Sequence, residues 1–147
     1  MDLDKSVIGV TSNEYVFEVE RRHVGQFATA IGDDNPLYTD ENYAKESAYE
    51  GLIVPPTFPI AMNDGKVELP VQLDQRRMLH GEQEFLYYKP IRIGDRLRCQ
   101  IKVSDLYDKE GKSGKMQFLK LDTEMKDTTG ELFCISRMNI VYRSLAK

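Results

Sequence analysis

Cysteine and histidine are scarce, with two of each in 147 residues. Cys99 and Cys134 lie in stretches of alternating apolar residues with no second Cys or His at ligand spacing, which argues against a zinc site or a disulfide and for two buried thiols. No metal or other cofactor is expected. Long apolar runs are missing as well: nothing approaches the roughly 20 residues that span a bilayer. The Met1-Asp2-Leu3-Asp4-Lys5 start is not a leader sequence, so a soluble, cytoplasmic protein with no membrane association is expected. Positive charge is in deficit, 20 Lys and Arg against 24 Asp and Glu, so no global basic field recruits nucleic acid. Repeats, low-complexity tracts and Pro/Ser linkers are absent. Residues 1–147 are therefore expected to form one domain, large enough to bury about 70% of the surface that the unfolded chain exposes.

What is present is alternation, interrupted by one helical stretch. Tyr15, Phe17 and Val19 alternate with polar neighbours as a first strand, then Val24, Phe27, Ala28 and Ile31 recur at helical spacing until Gly32 ends the helix. Thr39 or Asp40 caps a second, short helix through Lys45, and Pro55-Pro56 enforces extended chain. Phe58-Pro59-Ile60-Ala61-Met62 is apolar on all sides, which predicts a buried helix over residues 57–64; residues 66–77 read as a connector. Four long strands follow, at residues 79–88, 96–103, 119–126 and 132–142, with a hairpin turn at 111–115 and another turn at Gly130. Periodicity alone predicts an α+β fold, an antiparallel sheet curled over a helix.

Two motifs carry the functional signal. The first is Gly32-Asp33-Asp34-Asn35-Pro36-Leu37-Tyr38, followed by Gly51-Leu52-Ile53-Val54-Pro55-Pro56-Thr57-Phe58. The second is Leu79-His80-Gly81-Glu82-Gln83 with Pro90-Ile91-Arg92-Ile93-Gly94-Asp95. Taken alone, the Asp-Asp-Asn-Pro cluster suits any helix-ending turn. Together, in this order, the motifs resemble the MaoC-like, hotdog-fold (R)-specific hydratases and the FAS1-type dehydratase N-terminal domains, over most of the chain from Tyr15 to Arg143. They are similar in particular to the non-catalytic subunits of mycobacterial hydroxyacyl dehydratases. The resemblance implies a hotdog fold, a long antiparallel sheet wrapped around a central buried α-helix, and a dimer with its acyl site at the interface. It implies Asp33 as the catalytic carboxylate, retained or vestigial, and Asn35, Tyr38, Pro56, Thr57 and His80 as substrate-binding residues. It also implies an acyl-CoA or acyl-carrier-protein thioester as ligand.

The departure from the pattern is Tyr38, where the family's Gly-Asp-x-Asn-Pro-Leu-His loop has its histidine. Hydration beside a thioester carbonyl needs a group that moves a proton near neutral pH; imidazole does so, whereas a phenol with a pKa of about 10 does not. Neither His23, read as a solvated helix residue, nor His80, read as a structural imidazole or a pocket residue, lies in the loop. Three functions stay open. The chain is a non-catalytic or weakly catalytic subunit shaping the pocket for a catalytic hotdog partner, whose buried helix N-terminus would hold the thioester carbonyl. Alternatively it is a self-sufficient homodimeric hydratase using Asp33 with a relocated His23 or His80, or a homodimer that binds acyl thioesters without chemistry. Arg76, Arg77, Lys89, Arg92, Arg96 and Arg98 are read as solvated strand faces that double as cations for the carrier's phosphates. Asp64 resembles the place of the carboxylate in hotdog thioesterases.

Overall fold

Strict alternation builds most of the structure, a computed structural model that describes residues 2–112 and 114–144. Strand β3 (Arg96–Gly111) buries Leu97, Cys99, Ile101 and Val103 while Arg96, Arg98 and Lys102 point to solvent. It pairs antiparallel with β1 (Tyr15–Glu18) on one side and β4 (Gly114–Lys126) on the other. β4 continues to β5 (Leu132–Arg143), and β5 to β2 (Met78–Tyr87), so the sheet order is β1-β3-β4-β5-β2. A bulge between Val103 and Asp105 shifts the phase, so that Leu106 continues the buried row opposite Leu119.

One apolar sheet face needs a cover, and two different covers supply it. Over one half lies helix α1 (Arg21–Ala30), whose Val24 and Ala28 face Phe17, Phe58, Leu97 and Cys99. The other half, with Ile101, Val103, Leu106, Leu119, Leu121 and Ile140, is covered by Leu3 and Val7 of the N-terminal segment and by Val67, Val71 and Leu73 of the connector. The segment is strapped down through Gln117, buried on β4: its Oε1 accepts from the Leu3 N–H (2.7 Å) and its Nε2 donates to the Leu3 carbonyl (2.9 Å).

The two sheet edges differ. β1 is short, and residues 9–12 carry on its line along β3, the Gly9 and Ser12 N–H groups donating to the Val103 and Ile101 carbonyls at 2.8 Å each. Among the described residues no strand pairs with the outer side of β2, ten residues without proline.

The helix expected over residues 57–64 is instead a single 3-10 turn, Phe58–Ala61. Phe58 and Met62 are buried as expected, but Ala61 is half-buried and Ile60 is 48% exposed. The cause is local. Pro59 offers no N–H, the Thr57 side chain makes no cap, and Asn63 and Asp64 capture the next amides, Asp64 Oδ1 accepting from Lys66 and Val67. The α+β sheet architecture holds; its helical cover is α1 and this turn. No helix among the described residues is long and apolar enough to cross a membrane.

Removing the Gln117 clasp tests the strap. Gln117→Ala should cost about 2 kcal/mol in urea unfolding, the scale for buried groups losing their partners, and should speed amide exchange at Leu3, Gly9 and Ser12. A loss below about 0.5 kcal/mol with unchanged protection would show that Gln117 does not hold the segment.

Candidate functional site

The signature loop is positioned by the way α1 ends. Gly32, at φ 71°, supplies the left-handed residue that a helix stop of this kind requires. Its N–H donates to the Thr29 carbonyl (3.1 Å) and the Asp33 N–H to the Ala28 carbonyl (2.9 Å), which folds the chain back across the last turn. Asp33 Oδ1 then accepts from the Asn35 N–H (3.1 Å), and Asn35 Oδ1 from the Leu37 N–H (3.0 Å), capping a 3-10 turn, Pro36–Tyr38. Asp40 caps α2 (Glu41–Lys45), accepting from the Tyr43 N–H. These short-range bonds aim Tyr38 inward, where it is 5% exposed.

Tyr38 meets Asp33 there. Burial pushes the Tyr38 phenol above its ordinary value, and the Asp33 carboxylate, as a nearby charge and as a hydrogen-bond acceptor, pushes it the same way, as does Tyr49. Tyr87, at the end of β2, is also pushed up, chiefly by burial and then by Cys134 and Tyr38; its hydroxyl donates to the Pro56 carbonyl (2.9 Å). Beside this group opens a cleft of about 320 Å³, lined by Tyr49, Ile53, Val54, Pro56, Tyr87, Tyr88, Lys89, Pro90 and Ile91. Neither Tyr38 nor Asp33 is among its lining residues.

Asp33 and Tyr38 are thus brought together, Pro56 lines the cleft, and Asn35 is committed to the turn that sets Tyr38. Thr57 is exposed at the start of its 3-10 turn. His80 is exposed on β2, seven residues and roughly 23 Å along an extended strand from Tyr87. His23 is not a solvated helix residue: it is half-buried, its ring edge-on to Phe58 (centroids 5.0 Å) and tilted against Phe17 (5.8 Å). It is the third residue of α1 and stands ten residues before Asp33, which separates the two by roughly 15 Å at the helical rise. Of the cleft residues, Ile53, Val54, Pro90 and Ile91 stand in the two motifs without a role assigned, and Tyr49, Tyr87 and Tyr88 were missed. Adjacent tyrosines where a strand stops alternating were the available signal.

The basic residues do not assemble into one cradle. Arg76 pairs with Asp74 (2.7 Å) and Arg96 with Glu18 (3.2 Å); Arg77 is buried over the Tyr142 ring (4.1 Å). Lys89 pairs with Glu131 (2.7 Å), and an Arg92 guanidinium nitrogen donates to the Tyr49 carbonyl. Among the described residues no three His, Cys, Asp or Glu side chains cluster to hold a metal.

Comparison with known proteins agrees with this geometry. Residues 6–135 match the model of the FAS1-like, dehydratase domain region family. A UPF0336 protein of Saccharopolyspora erythraea is 37% identical over 156 residues, covering all of this chain and 96% of that protein. Among solved structures, the C-terminally truncated HadBC (3R-hydroxyacyl-ACP dehydratase) complex of Mycobacterium tuberculosis is similar with a TM-score of 0.76 at 20% identity, over 95% of this chain and 99% of that one. R-hydratase PhaJ1 of Pseudomonas aeruginosa is similar with a TM-score of 0.67 at 19% identity, over 95% and 88%. These likenesses establish the α+β hotdog fold.

Two buried thiols and three phenols set an alkaline limit on stability. Burial pushes the Cys99 and Cys134 thiols from about 9 up to about 12, and the Tyr15, Tyr38 and Tyr87 phenols rise above their ordinary 10. For each, the folded state holds its proton more tightly than the unfolded chain. The associated stability is therefore complete below the unfolded values and is lost as pH rises from there through the folded ones. Urea midpoints should be flat from pH 7 to 8.5 and fall beyond pH 9, more steeply above 10. Cys99→Ala combined with Cys134→Ala should remove the earlier onset and leave the steeper loss; a midpoint unchanged to pH 10.5 in the wild type would contradict this.

Proposed function

Because the chain belongs to the FAS1-like dehydratase domain region family, we propose that it is a cytoplasmic, non-catalytic or weakly catalytic subunit of an (R)-3-hydroxyacyl-thioester dehydratase or enoyl-thioester hydratase. It would shape the acyl pocket for a hotdog partner that supplies the working Asp and His. The observation that carries this reading is the Tyr38–Asp33 pair. Adding water beside a thioester carbonyl requires a group that accepts a proton near neutral pH. A phenol whose pKa is raised by burial and by a facing carboxylate stays protonated: it can donate a hydrogen bond but cannot act as that base. His23 and His80 are too far away within the chain to replace it.

The free β2 edge supports a partner, and its charges favour an unlike one. Glu82 and Glu84 share one face of the strand, where Glu84 lies 3.7 Å from Arg137 and Glu82 lies against Asn139. A two-fold pairing of β2 with its own copy, centred on any of residues 82 to 84, sets glutamate opposite glutamate, and like charges directly opposite destabilise a ladder. A partner strand with neutral or basic residues there avoids this. The similar HadBC structure is a complex of the same general kind.

Enoyl-thioester hydration measured on a short trans-enoyl substrate tests the reading. The wild type alone should show background turnover, and a mixture with a chain carrying an intact Gly-Asp-x-Asn-Pro-Leu-His loop should be active until that chain's His is replaced. Tyr38→His alone should raise turnover by about 10²-fold at most, the lower end of what a positioned base contributes. Robust activity of the wild type alone, abolished by Asp33→Asn, would overturn the proposal.

A further inference from the structure

The stretch of chain from Pro56 to Met62 is tied at each end by a phenol. Tyr87 Oη donates to the Pro56 carbonyl (2.9 Å) and Tyr15 Oη to the Met62 carbonyl (2.8 Å). Between those points the backbone bonds are local: the Phe58 N–H donates to the Pro55 carbonyl, Ile60 to Thr57 and Met62 to Pro59. Pro55 and Pro56 have no N–H, so the backbone there can be held only through its carbonyls, and Tyr87 supplies a donor. Burial pushes both phenols up, so each keeps the proton it donates.

The two tyrosines are the ends of one row. Register places Tyr15, Cys99, Met125, Cys134 and Tyr87 side by side across all five strands. The three sulfur-bearing side chains between them are fully buried, in the same cluster as Phe58 and Met62. At about 4.8 Å per strand, Tyr15 and Tyr87 stand roughly 19 Å apart, and residues 56–62 run from one to the other.

The Pro56 end is also where the cleft is built. Ile53, Val54 and Pro56 line it from one segment, and Tyr87, Tyr88 and Ile91 from another. Two bonds join these segments, Val54 N–H to the Ile91 carbonyl (3.1 Å) and Tyr87 Oη to the Pro56 carbonyl. On its other side the Ile53 N–H donates to the Leu37 carbonyl (3.2 Å), next to Tyr38. The wall of residues 53–56 is thus bonded both to the signature loop and to the end of β2. Tyr15 is not a lining residue and reaches this wall only through the 56–62 stretch.

We propose that Tyr15 and Tyr87 are a coupled pair of positioning residues for the cleft, Tyr87 holding the Pro56 wall directly and Tyr15 holding it from the far end of the same stretch. The inference rests on the acyl-thioester reading above and assigns two residues that set the geometry of that site. Removing either hydroxyl frees one end of the stretch and lets the wall shift; once one end is free, the other tie has little left to hold.

Calorimetric titration of the full chain with butanoyl-CoA, the saturated analogue of a short enoyl thioester, tests the pair. Tyr87→Phe and Tyr15→Phe keep both rings, and circular dichroism checks that each variant is folded. Each should weaken binding about three- to tenfold, the scale of one lost hydrogen bond. The double variant should bind within about twofold of the weaker single variant, not at the product of the two losses that independent sites this far apart would give. Full affinity in Tyr15→Phe, or losses that multiply in the double variant, overturns the inference and leaves the acyl-thioester reading standing. No binding of butanoyl-CoA by the wild type overturns both.

Discussion

A sheet with one apolar face has to be covered along its whole length, and most of this molecule answers to that demand. Five strands present two clusters of buried side chains, and no single long helix spans them. α1 and the Phe58–Ala61 turn close the first cluster; the N-terminal segment and the connector close the second. Because residues 58–62 make only one turn, the cover is pieced from short units, each fixed by its own hydrogen bonds. The site lies where these units meet: α1 ends at Asp33, the 3-10 turn delivers Tyr38, and β2 ends at Tyr87.

The chemistry of the site follows from that seam. A carboxylate next to a phenol in a buried position stabilises the protonated phenol, which makes Tyr38 a hydrogen-bond donor and part of a wall. Two further tyrosines, Tyr49 and Tyr87, line the cleft, and the Tyr87 hydroxyl ties the strand end to Pro56. The loop thus ends in a phenol that stays neutral across physiological pH.

What was legible in the sequence was local. Gly32, Asp33 and Asn35 could be read because their conformations are set by bonds spanning five residues or fewer, and the strands because alternation survives in β3, β4 and β5. Residues 57–64 misled because their uniform apolarity outweighs, in any periodicity count, the proline and the Asn63-Asp64 amide capture that stop the helix. His23 was misplaced although it stands four residues before Phe27 on the buried stripe, since a polar residue type hid its phase. The pair Tyr87-Tyr88 showed as a break in alternation, but its meeting with Tyr49 was illegible: the cleft joins two segments nearly forty residues apart, and only tertiary packing brings them together.

The Gln117 clasp has a consequence for how the chain reaches this structure. Leu3 and Gln117 are 114 residues apart, and the cluster that Leu3 covers needs Ile140 as well. Closing so large a loop costs chain entropy that no nearby contact offsets in advance, so sequence-distant contacts of this kind slow folding. During synthesis the segment emerges before the strands it packs against and is among the last to find its place, its apolar residues waiting for strands not yet made. A segment made before the strands therefore closes the fold, and until β4 and β5 are assembled half of the sheet's inner face is without its lid.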